Sequence, residues 1–152
     1  EDAYEKMDAL GRGIIVIGGG EIGCETALAL SEKGKTVTIL EMLPELSSET
    51  FHLTRDIMLW RISKEVDFFT KTTVKEISTH SVRFTDECGK DRQLTCDHVI
   101  LSTGMRPRSA QAEAFRNRAP YYRAIGDCTV AKNVRICTQT AYDAVVQLSE
   151  SM

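Results

Sequence analysis

Residues 13–17 (Gly-Ile-Ile-Val-Ile) run without a gap into Gly18-Gly19-Gly20-Glu21-Ile22-Gly23. No other feature constrains the fold as much. A continuous apolar, β-branched run suits a strand covered on both faces, as in a parallel sheet. The glycines then let the chain turn off the strand and enter a helix, expected over residues 21–33. Its apolar side chains (Ile22, Ala27, Leu28, Ala29, Leu30) spread widely round the cylinder, as they do on a helix packed against a sheet. Gly34 stands where a left-handed cap ends such a helix. Residues 36–40 (Thr-Val-Thr-Ile-Leu) make the second strand, ending at Glu41. The resulting β–α–β unit spans residues 13–41, close to the usual size.

In that context the spacing GxGxxG carries chemistry. Gly18 allows the tight turn. Gly20 has no Cβ, so backbone can approach a pyrophosphate, and Gly23 lets the helix lie close to the sheet. The N–H groups of the first helical turn, at the positive end of the helix dipole, are expected to hold the anion. The whole loop, with Gly19, Glu21 and Ile22, is the candidate cofactor-binding segment. Glu41 follows Gly23 by 18 residues. A carboxylate there accepts hydrogen bonds from the hydroxyls of an adenosine ribose and repels a 2′-phosphate. Residues 42–50 contain no Lys or Arg, and the next base is Arg55. The expected cofactor is therefore NAD(H) rather than NADP(H).

A second helix is expected over residues 49–64, with Leu53, Ile57 and Trp60 as its inner stripe and Trp60 in the core. Residues 66–70 form a third strand. Residues 73–78, 81–85 and 92–96 are short runs between turn signals and suggest an antiparallel meander. Residues 97–101 return as a buried strand, and 102–107 break it. A weakly patterned helix over 109–116, a short strand over 121–125 and a terminal helix over 137–148 complete the chain. Residues 1–12 read as a polar lead-in, poorly ordered or loosely docked.

The net charge of −3 argues against a nucleic-acid or acidic-membrane binder. No stretch approaches the roughly 20 apolar residues of a membrane span, and the acidic start lacks the apolar region of a signal peptide. Five cysteines without a CxxC fit reduced thiols of a cytoplasmic protein better than a disulfide framework or a zinc site. No nucleophile–base–orienter set emerges, because His52, His80 and His98 fall on a helix, a turn and a strand. No catalytic or metal-binding residue is assigned.

Residues 15–27 and 36–45 resemble the nicotinamide-nucleotide domain of two-dinucleotide-fold flavoproteins. The wording is nearest to the NADH:flavin oxidoreductase/NADH oxidase family, in which old yellow enzyme-like barrels, as in 2,4-dienoyl-CoA and enoate reductases, carry a C-terminal disulfide-reductase-like module. Residues 97–107 (Asp-His-Val-Ile-Leu-Ser-Thr-Gly-Met-Arg-Pro) resemble the crossover at which that domain hands back to the FAD or ADP domain. Residues 124–128 (Ala-Ile-Gly-Asp-Cys) resemble the GD motif beside the first dinucleotide. The resemblance implies an α/β, Rossmann-like (FAD/NAD(P)-binding) domain over residues 13–106, with a central parallel sheet, flanking helices and a small meander. It implies a return segment over 107–152 that resembles the end of the FAD/ADP domain.

It further implies that Gly104, Gly126 and Asp127 belong to the cofactor-binding set, and that Glu25 lies near the nicotinamide carboxamide. The departures are Ser102 where Ala is common, Arg108 where Asn is frequent, and a short stretch before Tyr121. A first dinucleotide fingerprint and a flavin-bearing barrel would precede residue 1. The expectation is thus a C-terminal piece of a larger flavoprotein. It would bind NADH and deliver hydride to FAD or FMN held by N-terminal domains of the parent, and be inactive alone. Its substrate and oligomeric state are left open. A non-enzymatic NADH-sensing module, or less favourably a methyltransferase using S-adenosylmethionine, are the competing classes.

Overall fold

Seven strands and four helices follow one another in the computed structural model, which describes residues 5–150. The strands are β1 (Gly13–Ile17), β2 (Thr36–Leu40), β3 (Asp67–Phe69), β4 (Thr73–Ser78), β5 (Ser81–Thr85), β6 (Asp91–Thr95) and β7 (His98–Leu101). The helices are α1 (Glu21–Glu32), α2 (His52–Glu65), α3 (Ser109–Glu113) and α4 (Val134–Glu150). One sheet has the order β3-β2-β1-β7, with every pairing parallel. The other is the antiparallel meander β4-β5-β6.

The uninterrupted apolar run of β1 is explained by its two covered faces. Ile14 and Val16 join Cys24, Ala27 and Leu30 of α1 and Met58 and Ile62 of α2 in one core cluster. Ile15 and Ile17 point the other way and join Val82 and Phe84 of β5. Period-two alternation thus feeds two cores from one strand. The registers Ile17↔Leu40 and Ile17↔Leu101 align the C-terminal ends of the three strands. That edge is where open parallel sheets bind ligands. Asp97 ties the opposite end together: its Oδ2 accepts from the Gly13 N–H at 2.8 Å, which holds its carboxyl below the usual range.

Several sequence expectations are corrected. Helix α2 begins at His52, and its inner face is Met58 and Ile62. Leu53, Ile57 and Trp60 are all about 60% exposed, and the Lys64 ammonium lies 3.8 Å from the Trp60 ring centroid. The helix carries two apolar stripes of helical period, and the one chosen from sequence faces outward. The lead-in is docked rather than loose. Met7 is buried in the core, Lys33 Nζ bonds Asp8 at 2.9 Å, and Lys35 Nζ donates to the Leu10 carbonyl at 2.6 Å. Residues 1–4 of the expected lead-in lie outside the described residues. No strand forms over 121–125, α3 stops at Glu113, and α4 starts three residues early.

The chain divides into two compact units, one ending at Gly104 and one beginning at Met105. Within the second, a 3-10 turn (Gly126–Cys128) is tied to α4 by the Gly126 N–H donating to Thr140 Oγ1 at 3.0 Å. Ser109 Oγ donates to the Cys128 carbonyl at 3.1 Å.

Candidate dinucleotide site

The glycine loop leaves β1 at Ile17 and enters α1 at Glu21. The Gly18 N–H donates to the Leu40 carbonyl at 2.9 Å, so the loop starts as a continuation of the sheet. Gly18 has φ +103°, and a Cβ there would strike the Ser102 carbonyl at the end of β7. Both facts require glycine. At Gly23 a Cβ would overlap the Gly18 carbonyl oxygen, so the first turn of α1 folds directly onto the loop. Gly20 is different. It has ordinary angles (φ −67°, ψ 179°), and a Cβ built there meets nothing within 4 Å. The fold does not need this glycine for space. What its bare Cα leaves is an open cradle.

Gly20 is the N-cap of α1, and the Cys24 N–H makes the helix's first bond, to the Gly20 carbonyl at 2.9 Å. The N–H groups of Glu21, Ile22 and Gly23 precede it and have no acceptor within the helix. Glu21 and Ile22 are exposed at that edge, and Glu25 is exposed one turn further on.

The carboxylate of Glu41 points back at the loop. Its Oε2 accepts from the Gly19 N–H at 2.5 Å, and its Oε1 from the Leu43 N–H at 2.7 Å. The residue is only 7% exposed. The sequence reading expects an acid open to a ribose; the structure gives one anchored on two amides at the floor of the site. Each carboxylate oxygen offers about two acceptor directions, so each keeps one beyond the amide bond it accepts.

Sequence reasoning missed the residues that fix this geometry. The Gly19 carbonyl accepts from the Ser47 N–H at 2.7 Å and from Cys24 Sγ at 3.3 Å. Burial, then the nearby Glu41 charge, push the Cys24 thiol up to about 12. Leu46 is buried against Gly19, where a Cβ would collide with Leu46 Cδ2. Arg55 Nε donates to the Leu46 carbonyl at 3.0 Å, and Arg55 Nη2 pairs with Glu45 at 2.7 Å. Ser47 is buried at φ +51°, a conformation nothing in its residue type announces.

The first unit therefore gathers Gly18, Gly19, Gly20, Glu21, Ile22, Gly23 and Glu41 at one sheet edge. Gly104, at φ +86°, lies three residues beyond β7, which pairs with β1. Gly126 and Asp127 lie in the second unit. There the buried Gly126 has φ +63°, and Asp127 Oδ1 accepts from Cys137 Sγ at 3.3 Å, which pushes that thiol up. All five cysteines are free. Among the described residues, no group of three or more His, Cys, Asp or Glu could hold a metal, and no helix is long and apolar enough to cross a membrane.

A parallel sheet, a glycine turn into a helix and an acid ending the second strand define a Rossmann-like nucleotide-binding domain. The chain belongs to the pyridine nucleotide-disulphide oxidoreductase family, whose sequence model matches residues 2–144. It is 34% identical over 116 residues to a bilirubin reductase of Mediterraneibacter gnavus, covering 76% of this chain and 18% of that protein. It is 30% identical to a cinnamate reductase of Clostridium sporogenes, covering 94% of this chain and 22% of that one. Among solved structures, a 2-naphthoyl-CoA reductase superposes with a TM-score of 0.80 at 28% identity, over 89% of this chain and 21% of that one. The chain thus spans about a fifth of the length of these relatives. The likeness to flavin oxidoreductases drawn from the sequence is borne out.

Proposed function

We propose that this chain is the NAD(H)-binding part of a flavin-dependent oxidoreductase. The observation that carries the reading is Gly20: a position with free space for a side chain, left bare at the N-cap of α1 and next to Gly19, whose N–H is held by Glu41. When bound, NADH supplies a hydride, and in the parent enzyme a flavin (FAD or FMN) on other domains accepts it. The chain's own residues bind and orient. The N–H groups of residues 20–23 hold the pyrophosphate, the bare Gly20 lets it approach, and the free acceptor directions of Glu41 take the ribose hydroxyls. By resemblance to the family, Glu25 faces the nicotinamide carboxamide, Gly104 belongs to the cofactor-binding set, and Gly126 and Asp127 lie beside the first dinucleotide. Such a chain binds dinucleotide and turns nothing over alone. Its free thiols fit the cytoplasm.

Parallel calorimetric titrations with NADH, NADPH, FAD and S-adenosylmethionine test the reading. NADH is expected to bind more tightly than NADPH. Tighter binding of NADPH, or of S-adenosylmethionine, would overturn it, as would NADH oxidation by the flavin-free chain.

A further inference from the structure

Sequence distance hides a cation beside the loop that follows Glu41. The loop after β2 has no base of its own, which is why NAD(H) was expected. Yet the fold carries Arg55 back to that loop from the first turn of α2. Its Nε donates to the Leu46 carbonyl at 3.0 Å, and the Leu46 side chain lies against Gly19, close to Glu41. A guanidinium placed there is what a 2′-phosphate asks for. This one is cancelled. Nη2 is held by Glu45 Oε2 at 2.7 Å. The two partners are unequally exposed: the Arg55 side chain is 23% accessible and that of Glu45 is 62%. The acid is the more accessible member of the pair.

We propose that the Glu45–Arg55 ion pair is a second determinant of dinucleotide choice, masking a cation that would otherwise admit a 2′-phosphate. The inference rests on the NAD(H)-binding reading above. It divides the rejection of NADPH into two parts. Glu41 repels the phosphate at the ribose itself. Glu45 occupies the guanidinium that Arg55 brings to this loop. The Arg55–Leu46 bond does not depend on Glu45, so removing the acid leaves the guanidinium anchored by Nε with Nη2 released.

The test is a titration of the full chain with NADH and with NADPH, for the unchanged protein, Glu45→Gln, Arg55→Gln and the double variant. Glu45 is largely solvent-exposed, so its substitution is expected to leave folding intact; melting curves check this. In Glu45→Gln the affinity for NADPH relative to NADH should rise about tenfold, the effect of one new charge-assisted contact. The gain should shrink with added salt and vanish in the double variant. An unmoved ratio in Glu45→Gln, or a gain that survives loss of Arg55, overturns the inference while leaving the NAD(H) reading standing. Failure of the unchanged chain to bind NADH would instead sink both.

Discussion

Gly20→Ala separates what the glycine loop needs in order to fold from what it needs in order to bind. Alanine accepts φ −67°, ψ 179° without strain, and its Cβ would meet nothing within 4 Å. Alanine is a poorer N-cap than glycine by some tenths of a kcal/mol, while a less flexible unfolded chain returns about 0.4–1 kcal/mol. The net change in stability should stay within about 1 kcal/mol, a shift of roughly 2–4 °C in Tm at this chain length. Binding is another matter. A methyl group in the cradle keeps the phosphate off the amides. Loss of one charge-assisted bond of about 1.5–3 kcal/mol weakens NADH by roughly ten- to a hundredfold. Gly23→Ala is the comparison, because its Cβ would run into the Gly18 carbonyl. That overlap with backbone should cost about 1–3 kcal/mol of folding stability. Denaturant melts and calorimetric titration of both variants provide the assay. If Gly20→Ala binds NADH within about twofold of the unchanged chain, the pyrophosphate does not sit where the bare Cα invites it, and the reasoning fails.

Phe84→Ala should cost about 3–5 kcal/mol in urea unfolding, since the ring is 1% exposed and closes the core between β1 and the meander; a loss under about 1 kcal/mol would mean the meander is not packed there. Cys24 gives a pH signature. Its folded-state pKa, about 12, lies above an ordinary value of 9.0, so its contribution is fully present below about pH 9 and fades as pH rises toward 12. The denaturation midpoint of the unchanged chain should therefore fall more steeply above pH 9 than that of Cys24→Ala, and parallel curves would contradict the buried thiol. Trp60 fluorescence should be quenched by acrylamide almost as readily in the native state as in urea, because the indole is on the surface; strong native protection would restore it to the core.

What the sequence disclosed depended on whether a residue's neighbours are near in the chain. The β–α–β unit is local, and its strands and first helix fall where the apolar runs and glycines put them. The meander is also local, each strand one turn from the next. Helix α2 went wrong because Leu53-Ile57-Trp60 and Met58-Ile62 are both i, i+3/i+4 sets. Periodicity says that a face is apolar, not which face meets the sheet. Met7 looked like part of a polar tail because the cluster it joins, with Ile14, Leu28 and others, is assembled only in the folded core. The strand expected over 121–125 had β-favouring residues, but among the described residues no strand pairs with it, and an isolated run cannot satisfy its backbone by itself.

The site shows the same division more sharply. The glycines and Glu41 announce themselves by type and spacing, whereas the groups that orient them do not. The Gly19 peptide is the meeting point: its N–H is taken by Glu41, and its carbonyl by Ser47 and Cys24. Ser47 is 28 residues away in sequence and acts through its backbone, so its side chain carries no signal. Arg55 is the instructive case. Counting residues along the loop placed it too far off to matter, but one helical turn brings its guanidinium back to Leu46 and Glu45. Sequence spacing told correctly that the loop itself holds no base, and could not tell that a base arrives from the helix already neutralised. On the proposed reading, a preference for NAD(H) rests on two carboxylates in different roles, one repelling at the ribose and one occupying a guanidinium, rather than on the mere lack of a cation.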